Sequence, residues 1–134
     1  MDKVQWKRAS EKLAHLSLFG SEGIRPQDVR QGSLGNCWFM AAASALAEHP
    51  GRLEKVFLNM VDEVSPWGIY GVNFYTLGVP HTIIVDDFLP LRDLGEGRWG
   101  TLYAGLGTDG SIWGPVLEKA FAKLHGNYSH ISGG

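Results

Sequence analysis

Cys37 is the one cysteine among 134 residues, and it stands where a thiol can attack a carbonyl. It follows Gln31-Gly32-Ser33-Leu34-Gly35-Asn36. It opens the run Trp38-Phe39-Met40-Ala41-Ala42-Ala43-Ser44-Ala45-Leu46-Ala47-Glu48, which has no helix breaker before His49-Pro50-Gly51. That run predicts a helix, and its near lack of polar residues predicts burial all round. Cys37 then occupies the first turn, where unpaired backbone N–H groups and the positive end of the macrodipole favour thiolate over thiol. Asn36 is expected to cap the helix, its side-chain oxygen accepting from a first-turn N–H. Gly35 permits a close backbone approach that a Cβ would obstruct. The primary amide of Gln31, on the preceding loop, can turn its NH₂ toward the carbonyl oxygen under attack and share the developing charge with the Cys37 N–H. The chemistry such an arrangement would support is acyl transfer to sulfur with a two-donor oxyanion hole. A lone helical cysteine is more often a small buried hydrophobe, so the neighbours decide.

The run from Leu34 to Trp38 follows the papain-type pattern Cys-Gly-Ser/Ala-Cys-Trp/Tyr, with leucine in place of the first cysteine. A leucine there suits a reducing compartment. The longer string Gln-Gly-x-Leu-Gly-Asn-Cys-Trp-Phe, followed by small residues, resembles the active-site motif of the calpain family of intracellular cysteine proteases. Transglutaminases also carry Gly-x-Cys-Trp before a helix; Gln31, six residues upstream, favours the calpain likeness.

The resemblance runs from about Ser21 to Gly134. It implies an α+β half-domain of the papain-like type: a buried central helix starting at Cys37, a small antiparallel sheet and packing helices. Residues 1–20 would be an N-terminal helix or edge segment, and 21–134 the first of two protease subdomains. It also implies a calcium ion held by Asp28 and by carbonyls at Gly23 and Ser21. The later acidic position of that site is Ser111 here, with Asp109 close but displaced. Calcium wants several oxygens, negative ones among them, so this departure weakens the site. Gly133 and Gly134 would pair main chain to main chain with a bound peptide, beside Gly35 and Trp38 at the nucleophile. The run Leu117-Glu118-Lys119-Ala120-Phe121-Ala122-Lys123 also resembles a calpain segment, although a solvated face accounts for Glu118 and Lys119.

A thiolate protease needs a histidine to carry the proton and an Asn or Asp to orient it. In papain-like enzymes these lie about 130–150 residues after the cysteine, and 97 residues follow Cys37 here. His49 ends the same helix, roughly 18 Å away at 1.5 Å per residue. His15, His81, His125 and His130 read as surface or end-of-element residues. The expectation is an intracellular cysteine endopeptidase whose nucleophile and oxyanion hole lie in this chain, and whose base lies in a second subdomain. Alone, the chain should fold and cleave nothing. The rivals are a non-catalytic calpain-like regulatory or binding module and a transglutaminase-like acyl transferase.

Composition agrees with one small domain. Hydrophobic residues at 44% and charged ones at 19% are ordinary for a globular chain, and a net charge of −2 gives no general attraction to nucleic acid or anionic membrane. A charged start without an apolar segment, and no run of about 20 apolar residues, predict a cytoplasmic protein with no membrane span.

The positioning elements follow from periodicity. Leu13, Leu16, Trp6 and Ala9 predict a helix between Lys3 and Phe19, closed by Gly20. Leu53, Val56, Phe57 and Met60 predict a short second helix after Pro50. Ile69 to Thr76 and His81 to Asp87 alternate as the two strands of a hairpin. Asp86 and Asp87 point to opposite faces, as groups that bond strand ends and loops rather than a metal. Leu91 to Gly110 shows little period, with Thr101–Ala104 as a candidate strand. Pro115, followed by a stripe of Val116, Ala120, Phe121 and Leu124, predicts a last helix stopped by Gly126.

Overall fold

The computed structural model describes residues 5–13, 16–19, 23–26, 29, 36–58, 68–107 and 110–132. The N-terminal stretch departs from expectation. Gln5–Arg8 form a strand, β1, and only Ala9–Lys12 turn as a helix, α1. The Asp87 carboxylate explains the difference. It is buried, and it accepts from Arg8 Nη1 at 3.0 Å and from Ser10 Oγ at 2.8 Å, while the Ala9 N–H donates to the Asp87 carbonyl at 2.9 Å. Extended backbone before Ala9 lets these groups converge on one buried anion, which outweighs the helical stripe. Gly68 is required beside it: its φ is +64°, and a Cβ there would stand 2.5 Å from Asp87 Oδ1.

Ile69–Thr76 (β2) and Val79–Asp86 (β3) pair antiparallel as the expected hairpin. The link is Leu77-Gly78, with φ of 51° and 79°, the two-residue turn whose twist suits strands. Gly78 adopts this freely; Leu77 does so under strain and is 100% exposed. Phe88–Gly95 (β4) and Arg98–Thr101 (β5) form a second hairpin that periodicity did not reveal, and the strand expected at Thr101–Ala104 ends at Thr101. β4 lies between β1 and β5, and it buries Leu89, Pro90 and Leu91 in succession before its exposed far end, so no alternation marks it.

The helix after Pro50 is shorter than expected, Pro50–Glu54. Val56 to Leu58 run instead along β2: Phe57 bridges Val72, the Leu58 N–H donates to the Gly71 carbonyl at 2.9 Å, and the Asn73 N–H donates to the Val56 carbonyl at 2.8 Å. Met60 lies outside the described residues. With Pro50–Glu54 as α3, the long helices are Cys37–Ala47 (α2) and Trp113–Leu124 (α4).

The core lies between α2, α4 and the β2–β3 hairpin, with Phe39, Met40, Tyr70, Val72, Trp113, Val116 and Ala120 at its centre. Phe39 stacks on Phe121, rings 4.4 Å apart and 11° from parallel. α2 is not buried all round. Phe39, Met40, Ala43 and Ala47 face the core, whereas Cys37, Trp38, Ala41, Ala42, Ala45 and Leu46 are exposed. The described residues offer α2 apolar partners on one side only. α4 is enclosed from Trp113 to Glu118 and again at Ala120 and Ala122. Lys119, expected in solvent, instead donates to the Phe88 carbonyl at 2.5 Å, to the Asp86 carbonyl at 3.2 Å and to the Asp86 carboxylate, so it ties α4 to the β3–β4 junction.

Candidate active site

Cys37 begins α2 as an exposed free thiol. The residue before it sets the geometry of that first turn. Asn36 has φ −122° and ψ 40°, and its carbonyl accepts from the Phe39 N–H at 3.0 Å and the Met40 N–H at 3.2 Å. The expected side-chain cap does not form. Instead the Asn36 amide, 0% exposed, turns away and donates from Nδ2 to Glu118 Oε2 of α4 at 2.9 Å. The bond that Nδ2 donates to the buried Glu118 carboxyl holds the amide turned away from α2, so Oδ1 does not accept from the first-turn N–H groups it would otherwise cap. The Asn36 Oδ1 has no hydrogen-bond partner among the described residues.

Glu118 also corrects the expectation of a solvated face, since it is 2% exposed. Its second oxygen, Oε1, accepts from the Ala104 N–H at 2.9 Å. Burial pushes its carboxyl above the usual 4.5, and the bonds from Ala104 and Asn36 pull only part of the way back. Burial, and then the neighbouring Glu118 and Tyr103, likewise raise the Tyr128 phenol. Reading the sequence missed this carboxylate. The available signal was the unbroken apolar turn from Ile112 to Leu117, which leaves a following Glu no polar face to join.

Trp38 flanks the thiol, 45% exposed, its ring edge-on to Phe121 at 5.5 Å and to Phe39 at 6.1 Å. Phe121 in turn meets the His125 ring at 4.5 Å. The first-turn N–H groups of Cys37 and Trp38 meet no acceptor among the described residues. The described parts of the site are therefore a thiol, two open backbone donors and an aromatic wall on one exposed helix end. Such a set can bind and attack a planar carbonyl. Gln31, Gly35, Gly133 and Gly134 lie outside the described residues.

So do Ser21, Asp28 and Asp109 of the expected calcium loop. Gly23 is exposed with φ +76°. Ser111, at the position where the resemblance calls for an acid, is buried in a short parallel bridge to Ser17, and its carbonyl accepts from the Gly107 N–H at 3.0 Å. A neutral side chain sealed in that bridge fits a calcium ligand poorly. Among the described residues no cluster of three His, Cys, Asp or Glu exists, and no helix is long and apolar enough to cross a membrane.

Residues 1–134 match the family model for the calpain family cysteine protease. Calpain-5 of Caenorhabditis elegans is 39% identical over 138 residues, a match covering 98% of this chain and 20% of that protein. Calpain-12 of Homo sapiens is 38% identical, covering 98% of this chain and 18% of its own length. The calpain-type cysteine protease ADL1 of Oryza sativa subsp. japonica is 33% identical, covering 97% and 6%. The chain thus spans a fifth or less of the length of these relatives. The motif at Cys37, the mixed helix and strand architecture and a match over the full length agree: the chain belongs to the calpain family of cysteine proteases.

Proposed function

We propose that this chain supplies the nucleophile half of an intracellular cysteine endopeptidase. The observation that carries the reading is Cys37, presented on the first turn of α2 beside backbone donors that meet no acceptor among the described residues. The thiolate sulfur attacks the peptide carbonyl carbon, and the carbonyl π pair moves to oxygen, where the Cys37 N–H and the Gln31 amide receive it. As the tetrahedral intermediate collapses, the C–N bond breaks and the amine leaves with a proton from a histidine. Water then hydrolyses the thioester, and its proton returns to the same histidine. Gly35 and Trp38, with Gly133 and Gly134, hold the peptide main chain.

The histidine and its Asn belong to a second subdomain, which packs on the exposed apolar face of α2 formed by Trp38, Ala41, Ala42, Ala45 and Leu46. The greater length of the relatives supports this division. The free thiol supports an intracellular, cytoplasmic setting. Calcium, if it engages Asp28 and the carbonyls of Ser21 and Gly23, binds weakly, because Ser111 adds no charge. Calorimetry should return a Kd no tighter than about 10⁻⁴ M; micromolar binding would refute that.

The central test is hydrolysis of a fluorogenic peptide. The chain by itself should be inert, and a polypeptide that adds a His- and Asn-bearing subdomain should be active. Cys37→Ser should abolish that activity, and Gln31→Ala should lower kcat by about 10²–10³. Turnover by this chain alone, lost on His125→Ala, would overturn the division of labour.

A further inference from the structure

Asn36 poses a physical puzzle that the reaction itself does not explain. Its type and place suit a helix cap, yet its amide NH₂ is spent on a contact 82 residues away. The two ends of that contact are fully buried, and the amide oxygen is left without a partner among the described residues. The grip on the other side is firm, because Glu118 is itself fixed by the Ala104 N–H. The cap oxygen would otherwise lie over the open Trp38 N–H, a partial negative charge beside the thiol.

We propose that Glu118 is a positioning residue for the nucleophile: it sequesters the Asn36 amide, so that the first turn of α2 keeps its backbone donors and positive potential for charge forming at Cys37. Glu118 touches neither sulfur nor substrate; it acts through Asn36. This rests on Cys37 being the reactive group. A buried carboxylate one bond removed from the helix mouth thereby serves reactivity in addition to packing.

The test is the rate of Cys37 alkylation by iodoacetamide against pH, measured on the intact chain. Glu118→Leu frees Asn36 to swing back over the first turn. Labelling at pH 7 should then slow about three- to tenfold, the scale on which first-turn charges act, and the midpoint of the rate profile should move to higher pH. The same Glu118→Leu change in an Asn36→Ala background should cost no such factor, since no cap oxygen remains to return. Glu118→Gln should keep the rate near that of the unsubstituted chain, because Gln can accept from Ala104 and donate to a reversed Asn36 amide. General loosening of the fold would slow labelling equally in both backgrounds, and that result overturns the proposal.

Should Glu118→Leu not fold, NMR of the unsubstituted chain decides. The Asn36 side-chain NH₂ resonances should follow the titration of the Glu118 carboxyl, and indifference to it overturns the proposal. A Cys37 in the unsubstituted chain that labels no faster than a free thiol would instead refute the nucleophile reading itself. An activated Cys37 unchanged by Glu118→Leu refutes only the positioning role.

Discussion

α2 and α4 invert what their sequences suggest. α2 is almost wholly apolar, yet half its circumference is exposed; α4 carries a glutamate and two lysines within 12 residues, yet it is the more enclosed. Composition reports what a helix tolerates, whereas burial is set by the elements that surround it. α4 is surrounded within this chain, by α2, the β2–β3 hairpin and the turn at Tyr128–Ile131. α2 has one neighbourly side and one side whose apolar residues suit a partner.

The comparison predicts an unequal response to truncation. Trp113→Ala in α4 removes a fully buried indole and should cost about 3–5 kcal/mol, read as the urea midpoint shift. Trp38→Ala in α2 should cost under about 1 kcal/mol. Equal losses would break the contrast.

A smaller effect lies at α4, where Glu118 and the Asp86 carboxylate held by Lys119 contribute to the pH dependence with opposite signs. The folded Glu118 carboxyl is raised above 4.5 by burial, so between that value and its folded pKa the native chain holds a proton that the unfolded chain has lost. Its contribution to stability therefore falls as pH rises through that window. Asp86, the partner of Lys119, is pushed up by burial, but the Lys119 ammonium and the Phe88 N–H outweigh this and hold it below 3.8. Its contribution is present above 3.8 and is lost as pH falls through the folded value. Thermal melts from pH 3 to 8 should show Glu118→Gln flattening the upper window and Lys119→Met the lower one. A Glu118→Gln profile parallel to the unsubstituted one would contradict the buried ionisation.

The smallest effect is expected on the exposed face of α2. Leu46, 37% exposed, should accept Lys at a cost within about 0.5 kcal/mol in this chain. In a polypeptide that includes the second subdomain, the same substitution should impair peptide hydrolysis. A large stability loss in the chain alone would mean that this face already has its partner.

Much of the fold was legible where local chemistry and tertiary context agree. The β2–β3 hairpin declared itself by alternation, α4 by Pro115 and its stripe, and Cys37 by the glycine-flanked motif before an alanine-rich run. What stayed hidden depends on contacts distant in sequence. β1 is a strand because Asp87 gathers Arg8 and Ser10 from 77 to 79 residues away. β4 has no period because it buries three successive residues between two neighbours. Asn36 reads as a cap by every local rule and fails to be one because Glu118 lies across the core. Glu118 itself reads as surface because its residue type outweighs the one local sign of burial, the apolar turn from Ile112 to Leu117 that precedes it.

The span of the Asn36–Glu118 bond also has a meaning in time. Closing a loop of 82 residues costs on the order of 4 kcal/mol in chain entropy, and no local contact can recover it before α4 exists. During synthesis α2 leaves the ribosome well ahead of α4, so a nascent chain carries its cysteine on an unanchored helix mouth. The anchor of that helix mouth can therefore form only once α4 has been made and has packed against it.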